Sequence, residues 1–131
     1  FDPTLIEDGT YFVAKVNGAI AASGGWTRRS SLYSDSAQGS SAAPLVDPEH
    51  GAAGIRAMYT HPDFARKGLG SLMLSTALAA ARLAGFRRAQ LLATKAGARL
   101  YQAAGWRTDE QVLVGTGDRR IVPGYRMSRE I

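Results

Sequence analysis

No cysteine occurs in the chain, which excludes a disulfide framework, a thiolate metal site and a cysteine nucleophile, and fits a cytoplasmic protein. Histidine is nearly absent too. His50 and His61 are the only two, and with the carboxylates scattered no metal-ligand spacing emerges, so no metal is expected. No apolar run is long enough to span a bilayer, and no signal-peptide pattern opens the sequence. Internal repeats and a domain linker are lacking as well, so the expectation is a single domain over residues 1–131, long enough for a real core. Because the chain opens on Phe1 rather than methionine, a start inside a longer chain is compatible with it.

What is there is an ordinary globular composition, 45% hydrophobic and 21% charged, with a net charge of +5. Basic balance can signal nucleic acid. Here the arginines are spread along the chain in pairs, Arg28-Arg29, Arg87-Arg88 and Arg119-Arg120, so a solvated surface with a few ligand-facing charges is the better reading. Residues 1–9 are polar and end in the turn signal Asp8-Gly9. A hairpin follows, with strands over 10–16 and 19–26 joined by Asn17-Gly18. Gly24 and Gly25 in its second strand predict a bulge or a close backbone approach. Residues 27–50 are rich in Ser, Ala, Gly, Asp and Pro without period, as in a functional or an unstructured loop.

Everything else is arranged around residues 55–74. An apolar and aromatic strand over 55–59 ends before Pro62, which has no donor for a sheet ladder. From Leu69 onward apolar residues recur at three and four, the period of an amphipathic helix, and Gly85 supplies its stop. Gly68 and Gly70 stand at the helix start. There the first N–H groups lack internal partners and the helix dipole is positive, so an anion can be held. Arg66 and Lys67 add charge. On these residues alone the turn is either a phosphate or pyrophosphate site or simply a turn. Residues 86–94 then read as a strand parallel to the central one, 98–104 as a short helix stopped by Gly105, and 112–114 with 121–127 as a closing antiparallel pair around Thr116-Gly117-Asp118. Pro123 is expected at a bulge or an edge.

The strand, His61-Pro62, the basic glycine turn and the long helix resemble the coenzyme A-binding motif of the GNAT acetyltransferase superfamily. Gly68 and Gly70 match its glycines, while Ala65 stands where the family favours Gln or Arg. The downstream segment from Gly97 to Trp106 is similar to the family's helix with Leu-Tyr, three residues, then Gly and an aromatic; Thr94 and Gly97 occupy places where Asn and Ala are common. The resemblance implies an α/β fold, a mixed, mostly antiparallel twisted sheet with helices on both faces. It covers about residues 10–131 and lacks the family's first strand and helices.

The resemblance also implies acetyl-CoA as cosubstrate, bound by Met58, Tyr59, Thr60, Arg66, Lys67, Gly68, Leu69, Gly70 and Ser71, and direct acetyl transfer to a primary amine of a small molecule or peptide. The backbone groups of Met58, Tyr59 and Thr60 would hold the pantetheine arm and the thioester oxygen; donors aimed at an oxyanion are worth about 3 kcal/mol each. Tyr101 aligns with the family's general acid. A phenol, with a pKa near about 10, is protonated at neutral pH and suited to protonating a leaving thiolate. Trp26, Arg28, Arg29 and Tyr33 are the candidate acceptor-binding residues. Glu49, His50, His61 or water are the candidate bases. A homodimer is compatible with the family, and neither nucleic acid nor membrane is an expected partner. Two alternatives stay open: a catalytically silent CoA-binding module, and a nucleotide or nucleic-acid binder using the same turn.

Overall fold

A computed structural model describes residues 3–29, 44–115 and 120–131. They fall into two compact units, one of residues 1–89 with Ile131 and one of residues 90–130.

In the first unit the hairpin forms as its turn demands. Asn17 and Gly18 adopt φ of 51° and 84°, the left-handed pair that joins two strands with the right twist. The strands are β1 (Tyr11–Val16) and β2 (Ala19–Thr27), and β3 (Ala53–Thr60) pairs antiparallel with β2. The register of β2 against β3 shifts between Ser23 and Gly25, because Ser23 faces Tyr59 while Gly25 faces Arg56. Two residues of β3, Ala57 and Met58, thus oppose Gly24, a β-bulge in the central strand. The close approach expected of these glycines is met in β2, while the extra residue of the bulge falls in the facing strand β3. A Cβ on Gly24 would lie 2.6 Å from Met58 Sδ, and one on Gly25 would lie 2.7 Å from the Thr10 carbonyl oxygen.

Those two directions also define the layers. Gly24 faces Met73 of the long helix α2 (Leu69–Leu83), whereas Gly25 faces Leu5 of α1 (Pro3–Glu7). Successive strand residues point to opposite faces, so the helices lie on both faces of this sheet. The helical turn α1 departs from the polar, turn-like reading of residues 1–9. Leu5, 1% exposed, is the apolar anchor that orders it. On α2 the buried stripe is Met73, Ala77 and Ala81, and the two alanines let the helix come close to the sheet. The helix ends in a Schellman motif: Gly85 at φ 99° donates to the Arg82 carbonyl and Phe86 to that of Ala81. Phe86 then turns inward, edge-on to Trp26 at 5.7 Å.

In the second unit the strands β4 (Arg88–Ala93), β5 (Arg107–Gly115) and β6 (Ile121–Glu130) lie in the order β4, β6, β5. The strand expected over 86–94 is β4 (Arg88–Ala93), and it leads into α3 (Lys95–Ala103). The closing pair is longer than its apolar cores suggest. β5 (Arg107–Gly115) and β6 (Ile121–Glu130) pair from Arg107 with Ser128 to Gly115 with Ile121. Polar residues such as Thr108, Glu110 and Arg126 extend it, since the pairing uses main-chain groups. Pro123 faces Leu113, away from the register shift between Thr108 and Glu110, and β6 lies between β4 and β5, which corrects its placement at a bulge or an edge. The turn at Thr116-Gly117-Asp118 lies outside the described residues.

Candidate active site

The glycine turn is built in three steps. His61 ends β3 and caps the single 3-10 turn Pro62–Phe64, its Nδ1 accepting the Asp63 N–H at 3.1 Å. Arg66 and Gly68 then both take left-handed conformations, φ 62° and 80°, and swing the chain into α2. Gly68 occupies the N-cap position with no side chain to cap the helix, and the first helical bond runs from Leu72 N–H to the Gly68 carbonyl at 3.0 Å. Leu69, Gly70 and Ser71 therefore present N–H groups at the positive end of a 15-residue helix. Among the described residues, a Cβ on Gly68 would meet nothing within 4 Å, and one on Gly70 would meet only Thr60 Oγ1 at 3.5 Å.

Arg66 and Lys67 are exposed beside this cradle. Lys67 Nζ lies 5.7 Å over the Phe64 ring, which stands edge-on to His61 at 5.8 Å. Phe64 therefore steadies the lysine at the turn, a contact worth about 0.5–1 kcal/mol at an exposed site. An aromatic three residues before the lysine was the available signal for it. Immediately upstream, the β3 bulge interrupts the ladder at Ala57 and Met58. Met58 lies against Gly24, Tyr59 is half exposed and Thr60 faces Gly70. The first unit thus brings together Met58, Tyr59, Thr60, Arg66, Lys67, Gly68, Leu69, Gly70 and Ser71 along one strand, turn and helix start.

Tyr101 belongs to the second unit, on α3, half-buried. Thr94 caps this helix, its Oγ1 accepting the Gly97 N–H at 3.1 Å. The Tyr101 ring meets Trp106 edge-on at 5.7 Å, and burial raises the pKa of its hydroxyl. A raised phenol holds its proton through the neutral range, the state a general acid needs.

The candidate acceptor residues have other partners. Trp26 is 2% exposed and set against Phe86, so it is a core residue rather than part of an acceptor-facing loop. Arg29 makes a two-pronged pair with Asp8, both bonds 3.0 Å, which ties the end of β2 to the residue after α1. Arg28 lies over the Trp26 ring at 5.0 Å. Thr27 pairs with Gly54, so this end of the hairpin is roughly 17 Å along β3 from Tyr59. Tyr33 lies outside the described residues.

Of the candidate bases, His50 and His61 have side-chain contacts, and Glu49 is held through its main-chain N–H. Asp47 organises an exposed turn before β3, accepting the Glu49 N–H at 3.0 Å and pairing with His50 Nδ1 at 2.7 Å. That bond, chiefly, holds its carboxyl below the usual carboxylate range. In neutral His61 the lone pair that accepts the Asp63 N–H is on Nδ1, so Nε2 carries the proton. Among the described residues no group of three or more His, Cys, Asp or Glu side chains could hold a metal, and no helix is long and apolar enough to cross a membrane.

Solved structures share this fold. Ard1 from Thermoplasma volcanium superposes with a TM-score of 0.71 at 17% identity, over 100% of this chain and 80% of that one. The ribosomal-protein-S18-alanine N-acetyltransferase from Escherichia coli gives 0.65 at 20% identity, over 92% and 68%. YncA, a putative acetyltransferase from Salmonella typhimurium solved with its cofactor acetyl-CoA, gives 0.67 at 21% identity, over 92% and 63%. No curated protein matches at the sequence level. The family model described as "Acetyltransferase (GNAT) domain" matches residues 7–108; the chain belongs to the GNAT acetyltransferase family, with its mixed, mostly antiparallel sheet.

Proposed function

We propose that this chain transfers the acetyl group of acetyl-CoA directly to a primary amine of a small molecule or peptide. The observation that carries the reading is the start of α2, where the N-cap is a left-handed glycine without a capping side chain and no Cβ obstructs the approach. Acetyl-CoA would supply the activated thioester. The N–H groups of Leu69, Gly70 and Ser71, with Arg66 and Lys67, bind its pyrophosphate. Main-chain groups of Met58, where the bulge in β3 interrupts the ladder, and of Tyr59 and Thr60 hold the pantetheine arm and stabilise the oxyanion. Tyr101 holds the proton that goes to the leaving sulfur, and its burial keeps that proton in place.

No side chain serves as base in this reading. The acceptor amine arrives neutral, or loses its proton to water, so its own pKa sets the acidic side of the pH profile. A cytoplasmic setting fits the cysteine-free composition. Thiol release from acetyl-CoA over a panel of amines tests the activity. Release with one amine and acetylation of its nitrogen is the expected result; binding of acetyl-CoA without release for any amine contradicts transfer and leaves a CoA-binding module.

A further inference from the structure

The end of α3 joins Tyr101 and Trp106 into one device. Gly105 turns left-handed at φ 95°, its N–H donates to the Gln102 carbonyl at 3.1 Å, and the Trp106 N–H donates to the Tyr101 carbonyl at 3.0 Å. This is a Schellman motif, in which the residue after the glycine folds back over the third residue from the helix end. Here those residues are Trp106 and Tyr101. Their rings meet edge-on, 5.7 Å apart at 69°, with Trp106 only 3% exposed. Among the described residues the buried indole Nε1 has no hydrogen-bond partner, and what the indole presents to the phenol is apolar ring surface. On the helix side the ring passes Gly97, where a Cβ would lie 3.8 Å from Tyr101 Cε2.

We infer that Trp106 is a positioning residue for Tyr101, fixing the orientation of the phenol ring and shielding its flank from water through the Tyr-x-x-x-Gly-Trp turn. The inference rests on Tyr101 being the acid of the proposed reaction. Burial raises the phenol's pKa, and Trp106 is the ring that stands beside it.

The test compares Trp106→Leu, Trp106→Phe and Tyr101→Phe with the parent in kcat, KM for acetyl-CoA, the pH profile of kcat, and the absorbance titration of Tyr101, taken as the difference from the same protein carrying Tyr101→Phe. Trp106→Leu is expected to lower kcat at least about tenfold, as small misplacements of a reacting group do. It should leave KM for acetyl-CoA unchanged and move both the alkaline limb and the Tyr101 titration to lower pH. Trp106→Phe, which keeps a flat ring, restores most of both. Should Trp106→Leu not fold, Trp106→Met replaces it, with the same expectation. An unmoved limb and titration in the leucine or methionine variant would overturn the positioning role, whatever happened to kcat. Full turnover in Tyr101→Phe would overturn the acid reading and the inference together, a result distinct from the first.

Discussion

Arg66 holds a backbone conformation that L-residues avoid, φ 62°, at a cost of about 1–2 kcal/mol. Glycine would relieve that strain while adding about 0.4–1 kcal/mol of unfolded-chain entropy to be lost. Arg66→Gly is therefore expected to match or exceed the parent in thermal stability. Its affinity for acetyl-CoA should fall about tenfold, because a charged donor to phosphate is lost. Titration calorimetry alongside thermal unfolding checks both, and the opposite directions separate a strained functional residue from a merely tolerated one. At Tyr101 the sign of the pH effect is fixed by what the phenol must do. As the acid of the proposed reaction it works protonated, and burial raises its pKa above the ordinary phenol value of about 10. Turnover should fall only as pH rises through that higher value. Tyr101→Phe should abolish this limb and cut kcat about a hundredfold, with acetyl-CoA affinity kept.

Among the elements, the glycines separate by what each backbone requires. Gly68 is left-handed, so Gly68→Val strains the turn itself and tests fold and site together. Gly70 is helical with ordinary room for a Cβ, so Gly70→Val is expected to keep a folded protein and lose cofactor binding. Two further glycines should respond to alanine with opposite signs in thermal unfolding. Gly85→Ala meets φ 99° at the end of α2 and is expected to destabilise by about 1–2 kcal/mol. Gly97→Ala lies inside α3 with no left-handed angle and should stabilise by about 0.5 kcal/mol, the helix gain being partly offset. The offset comes from the tight 3.3 Å contact with Thr94 Oγ1. These elements were largely legible in the sequence because each is set locally: Asn17-Gly18 for the hairpin, the three-four period for α2, Gly85 and Gly105 for the helix ends. α1 was not, since its order comes from Leu5 burying against Gly25, a contact that no local pattern encodes. The length of β5 and β6 was hidden for a related reason: their polar residues are held by pairing between strands.

At the scale of the whole molecule, family and fold could be read from two short motifs in the right order, while the acceptor side could not. The resemblance made residues 27–50 a candidate substrate loop, yet described residues at its start are bound into the scaffold, Trp26 in the core and Arg29 on Asp8, and at its end His50 pairs locally with Asp47. Arginine, tryptophan and histidine look alike in a sequence whether they serve a ligand or a neighbour, and only the partner decides. The cofactor side is different, because a glycine turn at a helix start leaves main-chain donors unpaired whatever surrounds it. In the proposed reaction these donors bind the pyrophosphate of acetyl-CoA, and isothermal titration of the chain and of its Gly70→Val variant with acetyl-CoA tests this. Saturable binding by the parent, weakened by added salt, is expected, with no measurable binding by a variant whose circular dichroism is unchanged. Equal affinity in the folded variant, or no binding by the parent, would contradict it.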